Sequence, residues 1–293
     1  MATLGTMSSQ NPERAAVVTV TYNSCAQVSD FLDSVAAAAI PAATVTVVEN
    51  NSPEAEPTGQ IVSDFGANFL WLPENVGYGA AMNRGVDTLA PESEHVLLSN
   101  PDVQLHPGTL PALVRWLDEH PECAAVGPKL LNEDGTVYPS ARAVPSLGNG
   151  IGHALFARFW PNNPWSRHYR ADDSYGDQPR PAGWLSGACL LVRRDMFAQL
   201  GGFDEGFFMY FEDVDLGYRI GKAGWTNTYL PEVSAVHTGG ASTRSESDRM
   251  LRVHHQSASR FMSKRYPAWY YAPLRLGLRV GLWARFHLLR PSR

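Results

Sequence analysis

The chain has 293 residues, 44% apolar and 18% charged, with 25 Gly and 21 Pro, an ordinary globular balance that excludes collagen, coiled coil and a disordered chain. Its net charge of −5 hides an asymmetry: ten of the 24 Lys and Arg follow Asp248 with no acid among them, which leaves 14 basic against 29 acidic groups, or −15, on residues 1–248. An acidic body with a basic tail argues against a nucleic-acid reader, so no nucleic-acid partner is expected.

In chain order, Ala15 to Tyr22 is a short β-branched run that predicts a strand, and Ala26 to Ala39 predicts a helix with Phe31, Leu32 and Val35 on one face. Strands are predicted again at Thr44 to Val48, Asn68 to Leu72 and His95 to Ser99, with helices at Gly79 to Leu89 and Leu110 to Glu119. Such alternation predicts a mostly parallel sheet with helices on its faces, where ligands bind at the carboxyl ends of the strands. Three of those ends are polar: Thr21-Tyr22-Asn23-Ser24, Glu49-Asn50-Asn51-Ser52 and Asn100-Pro101-Asp102. From Tyr138 to Pro181 the chain turns to Pro, Trp, Asn and Arg with weak periodicity, a long loop region or insertion of the kind that is usually functional. A strand at Gly187 to Arg193, a helix at Phe211 to Lys222 and strands at Thr226 to Leu230 and Ser234 to His237 follow.

Four segments carry candidate chemistry, each with a plain structural reading beside it. Asp102 at a strand end suits a divalent cation, since hard cations prefer oxygen ligands, while Asn-Pro-Asp is equally a turn sequence. In Phe211-Glu-Asp-Val-Asp-Leu-Gly-Tyr-Arg219, Asp215 is explained by an i,i+4 pair with Arg219 and by the helix dipole. Glu212 and Asp213 follow the aromatic run Phe207 to Phe211, where a desolvated carboxylate has a raised pKa and suits general-base work. The Gly-rich stretch Asn75 to Gly85 either offers backbone N–H groups to a phosphate or forms a tight turn that packs a helix on the sheet. His237, ending an apolar run, reads as a core histidine or a ligand. There is no GxSxG, HExxH or CxxC, so serine-hydrolase and zinc-enzyme chemistry lack support, and Cys25, Cys123 and Cys189 read as free thiols.

Taken in order, Val18-Thr-Val-Thr-Tyr-Asn23, Val47-Val-Glu-Asn-Asn-Ser52, Glu74-Asn-Val-Gly-Tyr-Gly79 with Asn83, Leu97-Leu-Ser-Asn-Pro-Asp102, Gly187-Ala-Cys-Leu-Leu-Val192 and Gly201-Gly-Phe-Asp-Glu205 leading into Glu212-Asp213 resemble the family 2 glycosyltransferases of GT-A fold. The middle motifs Val137 to Arg142, Phe159 to Trp165, Gly183 to Gly187 and Tyr210 to Gly217 resemble its actinobacterial rhamnosyltransferases of cell-wall arabinogalactan linker synthesis. The resemblance implies a Rossmann-like central sheet, and inverting transfer of L-rhamnose from dTDP-L-rhamnose to the 3-hydroxyl of GlcNAc-diphosphoryl-polyprenol with Mg²⁺ or Mn²⁺. Carried over by position, it implies Asp213 as catalytic base and Asp102 and His237 as metal ligands. Thr21, Tyr22, Asn23, Glu49, Asn51, Asn75, Gly79, Asn83 and Asn100 would hold the nucleotide sugar, and Trp184, Ser186 and Glu212 would shape the acceptor pocket. Glu49 stands where the family usually has Asp, and Asn100 replaces the first Asp of its DxD motif.

The domain reading is a disordered start over 1–14, a GT-A domain over 15–244 with a nucleotide-binding half (15–135) and an acceptor-binding half (136–244), and a basic helical extension over 245–293. With no visible secretory signal and no apolar run near the roughly 20 residues of a membrane span, a cytoplasmic enzyme is expected. Trp269 to Arg290 combines aromatic groups with Arg275, Arg279 and Arg290 on one helical side, which suits the inner membrane leaflet that carries a lipid-linked acceptor. The same helix docked on the catalytic domain, or on a second copy in a homo-oligomer, is the plainer reading. A UDP-sugar-dependent transferase such as a galactofuranosyl enzyme, and a non-catalytic sugar-nucleotide-binding protein, are the rival functions.

Overall fold

The computed structural model describes residues 14–146, 175–239 and 247–288. The first half runs β1 (Ala15–Thr21), α1 (Cys25–Ala37), β2 (Val45–Glu49), α2 (Ala55–Phe65), β3 (Asn68–Trp71), α3 (Tyr78–Asp87), β4 (His95–Ser99), β5 (Val103–Leu105), α4 (Thr109–Glu119) and β6 (Cys123–Leu131). The second runs β7 (Ala141–Arg142), β8 (Arg180–Ala182), β9 (Trp184–Leu185), β10 (Cys189–Arg193), α5 (Arg194–Gln199), α6 (Glu212–Lys222), β11 (Thr226–His237), α7 (Ser247–Arg265) and α8 (Ala272–Leu288).

The main sheet has the order β3-β2-β1-β4-β10-β6-β11-β5, with β8 added beside β11. Its first four strands are parallel, as the alternation predicts, and β6 and β11 are parallel to each other. Between these groups β10 runs antiparallel to both neighbours, and β5 is antiparallel to β11. Buried strands alternate between two cores, because successive side chains leave opposite faces of a sheet. Val17 packs with Phe31, Leu32, Leu113 and Leu117 under α1 and α4, while Val18 and Val20 pack with Met82, Phe197, Phe203 and Ile220 under α3, α5 and α6.

Several elements differ from the sequence expectation. The helix α2 carries Pro57 and Gly59, which mask its signal; it forms because Ala55, Thr58 and Val62 bury one face, and Gly66 ends it in a left-handed conformation at φ 82°. The two strands expected after Trp225 are one, β11, whose register slips between Leu230 and Ser234 around Pro231. Arg14, expected in a disordered start, is held by Glu94 at 2.7 Å and Asp118 at 3.1 Å. Residues 1–13, the Phe159 to Trp165 motif and Arg290 lie outside the described residues.

The extension docks on the catalytic body. Phe261 and Met262 of α7 are buried against Phe207 and Val214, and Lys264 Nζ reaches both Asp204 (2.5 Å) and Asp215 (2.6 Å). The following helix, α8, lies on α7: Arg279 Nε donates to Ser259 Oγ at 3.1 Å, and Arg275 donates to Tyr266 O and Ala268 O. Two arginines assigned from the sequence to a membrane-facing stripe therefore brace a helical hairpin. Among the described residues no helix is long and apolar enough to cross a membrane.

Candidate active site

Strand register assembles the site. Thr21 of β1 pairs with Glu49 of β2, and Thr19 with Ser99 of β4, so the three polar strand ends share one rim. Antiparallel β10 starts at that rim with Cys189 opposite Ser99, which brings Gly187 and Ala188 beside Asn100, whose N–H donates to Ala188 O at 2.9 Å. The β11–β5 pairing sets His237 opposite Val103, next to Asp102. The result is a cavity of about 550 Å³, a size that suits a nucleotide-sized ligand. Tyr22, Asn50, Asn75, Asn100 and Asp102 line it from the first half of the chain, and Tyr138, Arg142, Trp184 and Tyr210 from the second, with Ser186, Glu212, Asp213 and His237 also lining it.

Glu212 and Asp213 are presented by an unusual turn. Tyr210 (φ 65°) and Phe211 (φ 68°) are consecutive aromatic residues in the left-handed region, a costly conformation for side chains with a Cβ, and α6 begins immediately after them. The turn is held from α7: Ser257 Oγ donates to Met209 O at 2.8 Å, and the His254 ring packs edge-on to Tyr210 and Phe211, at 5.5 and 5.4 Å between centroids.

Within this frame the two neighbouring carboxylates differ. Asp213 Oδ2 accepts from Gly187 N–H at 3.0 Å and Oδ1 from Val214 N–H at 2.8 Å. Burial raises its pKa, and those two N–H groups together with the Arg142 charge oppose the rise. Glu212 is buried with Oε2 unpaired, and burial, reinforced by the Asp213 charge, pushes its pKa well above the carboxylate range. Asp213 is thus the member that ionises and Glu212 the one that keeps a proton. Tyr78 OH donates to Gly187 O at 2.7 Å, fixing the residue that feeds Asp213. Asp215, as its spacing predicts, is outside this chemistry: Arg219 Nε holds it at 2.7 Å.

At the other end, Asn-Pro-Asp is both a turn and part of the site. Val103 N donates to Asn100 O at 3.4 Å, while the Asp102 side chain faces the cavity with Oδ1 3.3 Å from His237 Nε2. Neither Asp102 Oδ1 nor His237 Nδ1 makes a hydrogen bond, and the Tyr138 ring stands edge-on to the histidine at 5.0 Å. One orphaned carboxylate oxygen beside an imidazole fits a divalent cation that takes its other ligands from diphosphate and water. No cluster of three or more His, Cys, Asp or Glu that could hold a metal occurs among the described residues.

Other expected contacts are placed differently. Glu49 Oε2 accepts from Thr21 Oγ1 and Oε1 from Ser52 N–H, both at 2.7 Å, so this buried pair braces the rim and does not line the cavity. Asn23 (φ 52°) and Asn51 (φ 61°) supply left-handed turns at strand ends, a conformation Asn tolerates, and are also absent from the lining. Asn83 brackets the loop before α6, exchanging 2.9 Å hydrogen bonds with Phe203 N and O. Gly79 packs α3 on Phe203 and Glu212. In the Gly-rich stretch three N–H groups are taken within the protein: Val76 N–H donates to Asn50 Oδ1, Gly77 N–H to Asn75 Oδ1 and Tyr78 N–H to Phe208 O. Gly77 is required there, since a Cβ would lie 2.2 Å from Phe208 O. Asn50, overlooked as a site residue although it lies within a polar strand end, lines the cavity and bonds Asn75 Oδ1 at 3.0 Å.

Residues 12–272 match the family described as "Glycosyltransferase like family 2". The chain belongs to that family. It is a glycosyltransferase, as the motifs led us to expect. The N-acetylglucosaminyl-diphospho-decaprenol L-rhamnosyltransferase of Mycobacterium tuberculosis is 41% identical over 282 residues, 93% of this chain and 92% of that protein. The rhamnosyltransferase WbbL of Escherichia coli is 37% identical over 82 residues, 28% of this chain and 31% of its own. Among solved structures, the mannosyltransferase PcManGT from Pyrobaculum calidifontis in complex with GDP-Man and Mn²⁺ superposes with TM-score 0.57 at 18% identity, covering 94% of this chain and 70% of that one. This family 2 enzyme therefore has the GT-A fold: a curled, mostly parallel central sheet with flanking helices.

Proposed function

We propose that this glycosyltransferase moves L-rhamnose from dTDP-L-rhamnose to the 3-hydroxyl of a GlcNAc-diphosphoryl-polyprenol. The observation that carries the reading is Asp213, hydrogen-bonded through both oxygens in a cavity between an Asn-rich donor end and an aromatic acceptor end. The identities of sugar and acceptor rest on the full-length likeness to the mycobacterial rhamnosyltransferase and on the shared motifs. Tyr22, Asn50, Asn75 and Asn100 bind the nucleotide, while Trp184 and Ser186 offer a ring face and a hydroxyl to the acceptor sugar.

Asp213 takes the acceptor hydroxyl proton as the oxygen attacks the anomeric carbon from the side opposite the diphosphate; the bond to the phosphate oxygen breaks, dTDP leaves and the anomeric centre inverts. Protonated Glu212 keeps a second negative charge away from that base. Asp102 and His237 would hold Mg²⁺ or Mn²⁺, which when bound supplies positive charge to the leaving diphosphate. The enzyme works at the cytoplasmic membrane surface, which the exposed apolar side chains of α8 touch.

The first test is thermal-shift titration with dTDP, dTDP-rhamnose, UDP and UDP-sugars, with and without Mn²⁺, since a ligand bound only by the folded state raises the melting temperature. A dTDP-selective, metal-dependent rise is expected. A UDP-selective rise would overturn the donor and leave the family chemistry standing.

A further inference from the structure

The transfer proposed above brings two diphosphates to one cavity, the donor's and the acceptor's, and the cavity already carries Asp102, Glu212 and Asp213. Arg142 and Arg249 line it, and among the described residues no other Lys or Arg does. Arg142 closes β7 in the acceptor half, with its guanidinium carbon 5.9 Å from the Trp184 ring centroid, and Arg249 is on α7, 5.9 Å from the Phe208 ring. Arg142 Nε–H donates to Pro139 O at 2.9 Å, which fixes the plane of the group, and neither terminal nitrogen makes a hydrogen bond among the described residues.

We propose that Arg142 and Arg249 form a subsite for the diphosphate of the lipid-linked acceptor, separate from the place of the donor diphosphate at Asp102 and His237. The inference rests on the acceptor class given above. The planar Arg142 guanidinium, its terminal N–H groups unbonded among the described residues, matches phosphate oxygens two at a time, and such a group makes its strongest contacts where water is partly excluded. Arg142 pairs with Trp184 of β9, the strand that leads into Gly187, whose N–H donates to Asp213 Oδ2, so an anion held there lies on the side of the cavity where Asp213 is anchored. A hydroxyl on the sugar attached to that anion is then within reach of the base. Arg249 adds the second cation from the helix hairpin whose other member, α8, exposes Leu276, Val280 and Trp283, a course for the lipid chain once its diphosphate is held.

The test is isothermal titration of the full-length protein with farnesyl diphosphate in EDTA, with and without excess dTDP, followed by Arg142→Gln, Arg142→Lys and Arg249→Gln. Expected are measurable binding that excess dTDP leaves in place, and a loss of about tenfold in affinity for each Gln variant, the scale of one charge-assisted hydrogen bond. Arg142→Lys, which keeps the charge and loses the fork, falls between, and melting curves of all three identify any variant that fails to fold. Unchanged affinity in folded Gln variants would overturn the subsite, and so would displacement of the probe by dTDP, which would make it the donor's. The probe carries no sugar and needs no transfer. Loss of rhamnosyl transfer with Arg-dependent binding intact would thus condemn the functional reading and spare the subsite.

Discussion

Glu212 and Asp213 are adjacent, Glu212 buried and Asp213 half-buried on the cavity wall, and only Asp213 accepts two backbone N–H groups. That difference assigns the roles. Asp213→Asn is isosteric and removes the proton acceptor, so transfer should fall by about 10²–10⁴-fold, the range of general-base catalysis. Binding of dTDP should stay within about twofold; turnover near that of the parent enzyme would refute the assignment. Because burial raises the Asp213 pKa, activity should be lost on acidification at a pH above the ordinary value for an aspartate, with the limb visible in kcat/KM. Glu212 leads to a stability prediction of definite sign. Its folded-state pKa lies above its unfolded value, so the folded protein holds an extra proton between the two, and stability falls as pH climbs through that window. Glu212→Gln removes that dependence: melting at pH 8 should rise by about 2 °C or more while melting at pH 4 changes little. A variant equally stabilised or destabilised at both values would contradict a protonated Glu212.

Helix α7 is the element that holds the turn at Tyr210 and Phe211. Phe261 is fully buried between Phe207, Phe211 and Tyr218, and Lys264 neutralises Asp204, whose pKa it helps bring down to about 2. Phe261→Ala should cost about 3–5 kcal/mol and loosen α7 from the turn at Tyr210 and Phe211. Transfer should then fall more than tenfold while dTDP affinity, which depends on the other half of the sheet, is retained; equal losses in both would show that α7 serves only general stability. This dependence is invisible in the sequence. β1, β2 and β4 announce themselves through β-branched runs, and their polar ends announce a site, because both signals are local. The pairing of His237 with Asp102 joins residues 135 positions apart through an antiparallel register, and the resemblance, not periodicity, brings them together beforehand. Two aromatic residues at positive φ have no sequence signature, since neither residue type favours that conformation. Glu49 and Asn83 show the opposite failure: their motif positions are right for the family, yet their polar atoms are satisfied inside the protein.

For the whole molecule, the lipid-linked acceptor proposed above would bring an acidic body to an anionic membrane. The basic tail is the evident answer from charge, yet Arg275 and Arg279 are engaged within the hairpin. What α8 and its approach leave uncovered is apolar and aromatic: Trp269 is 84% exposed and Trp283 64%, with Tyr270, Leu276 and Val280 also open. Side chains at 276, 280 and 283 recur at helical spacing and share one face. Indole rings favour the boundary between headgroups and acyl chains, so the membrane contact should be mainly interfacial insertion, with charge a lesser contribution that salt screens. Both tryptophans are mostly exposed, so replacing them by alanine in the full chain should leave the melting temperature within about 1–2 °C. Flotation with vesicles containing anionic lipid should nevertheless fall at least about tenfold, and binding by the parent protein should persist in part at 0.5 M salt. Unchanged flotation of the double variant would exclude this face as the membrane contact. A concentration-dependent dimer abolished by the same substitutions, with vesicle binding intact, would assign the face to a second copy of the chain.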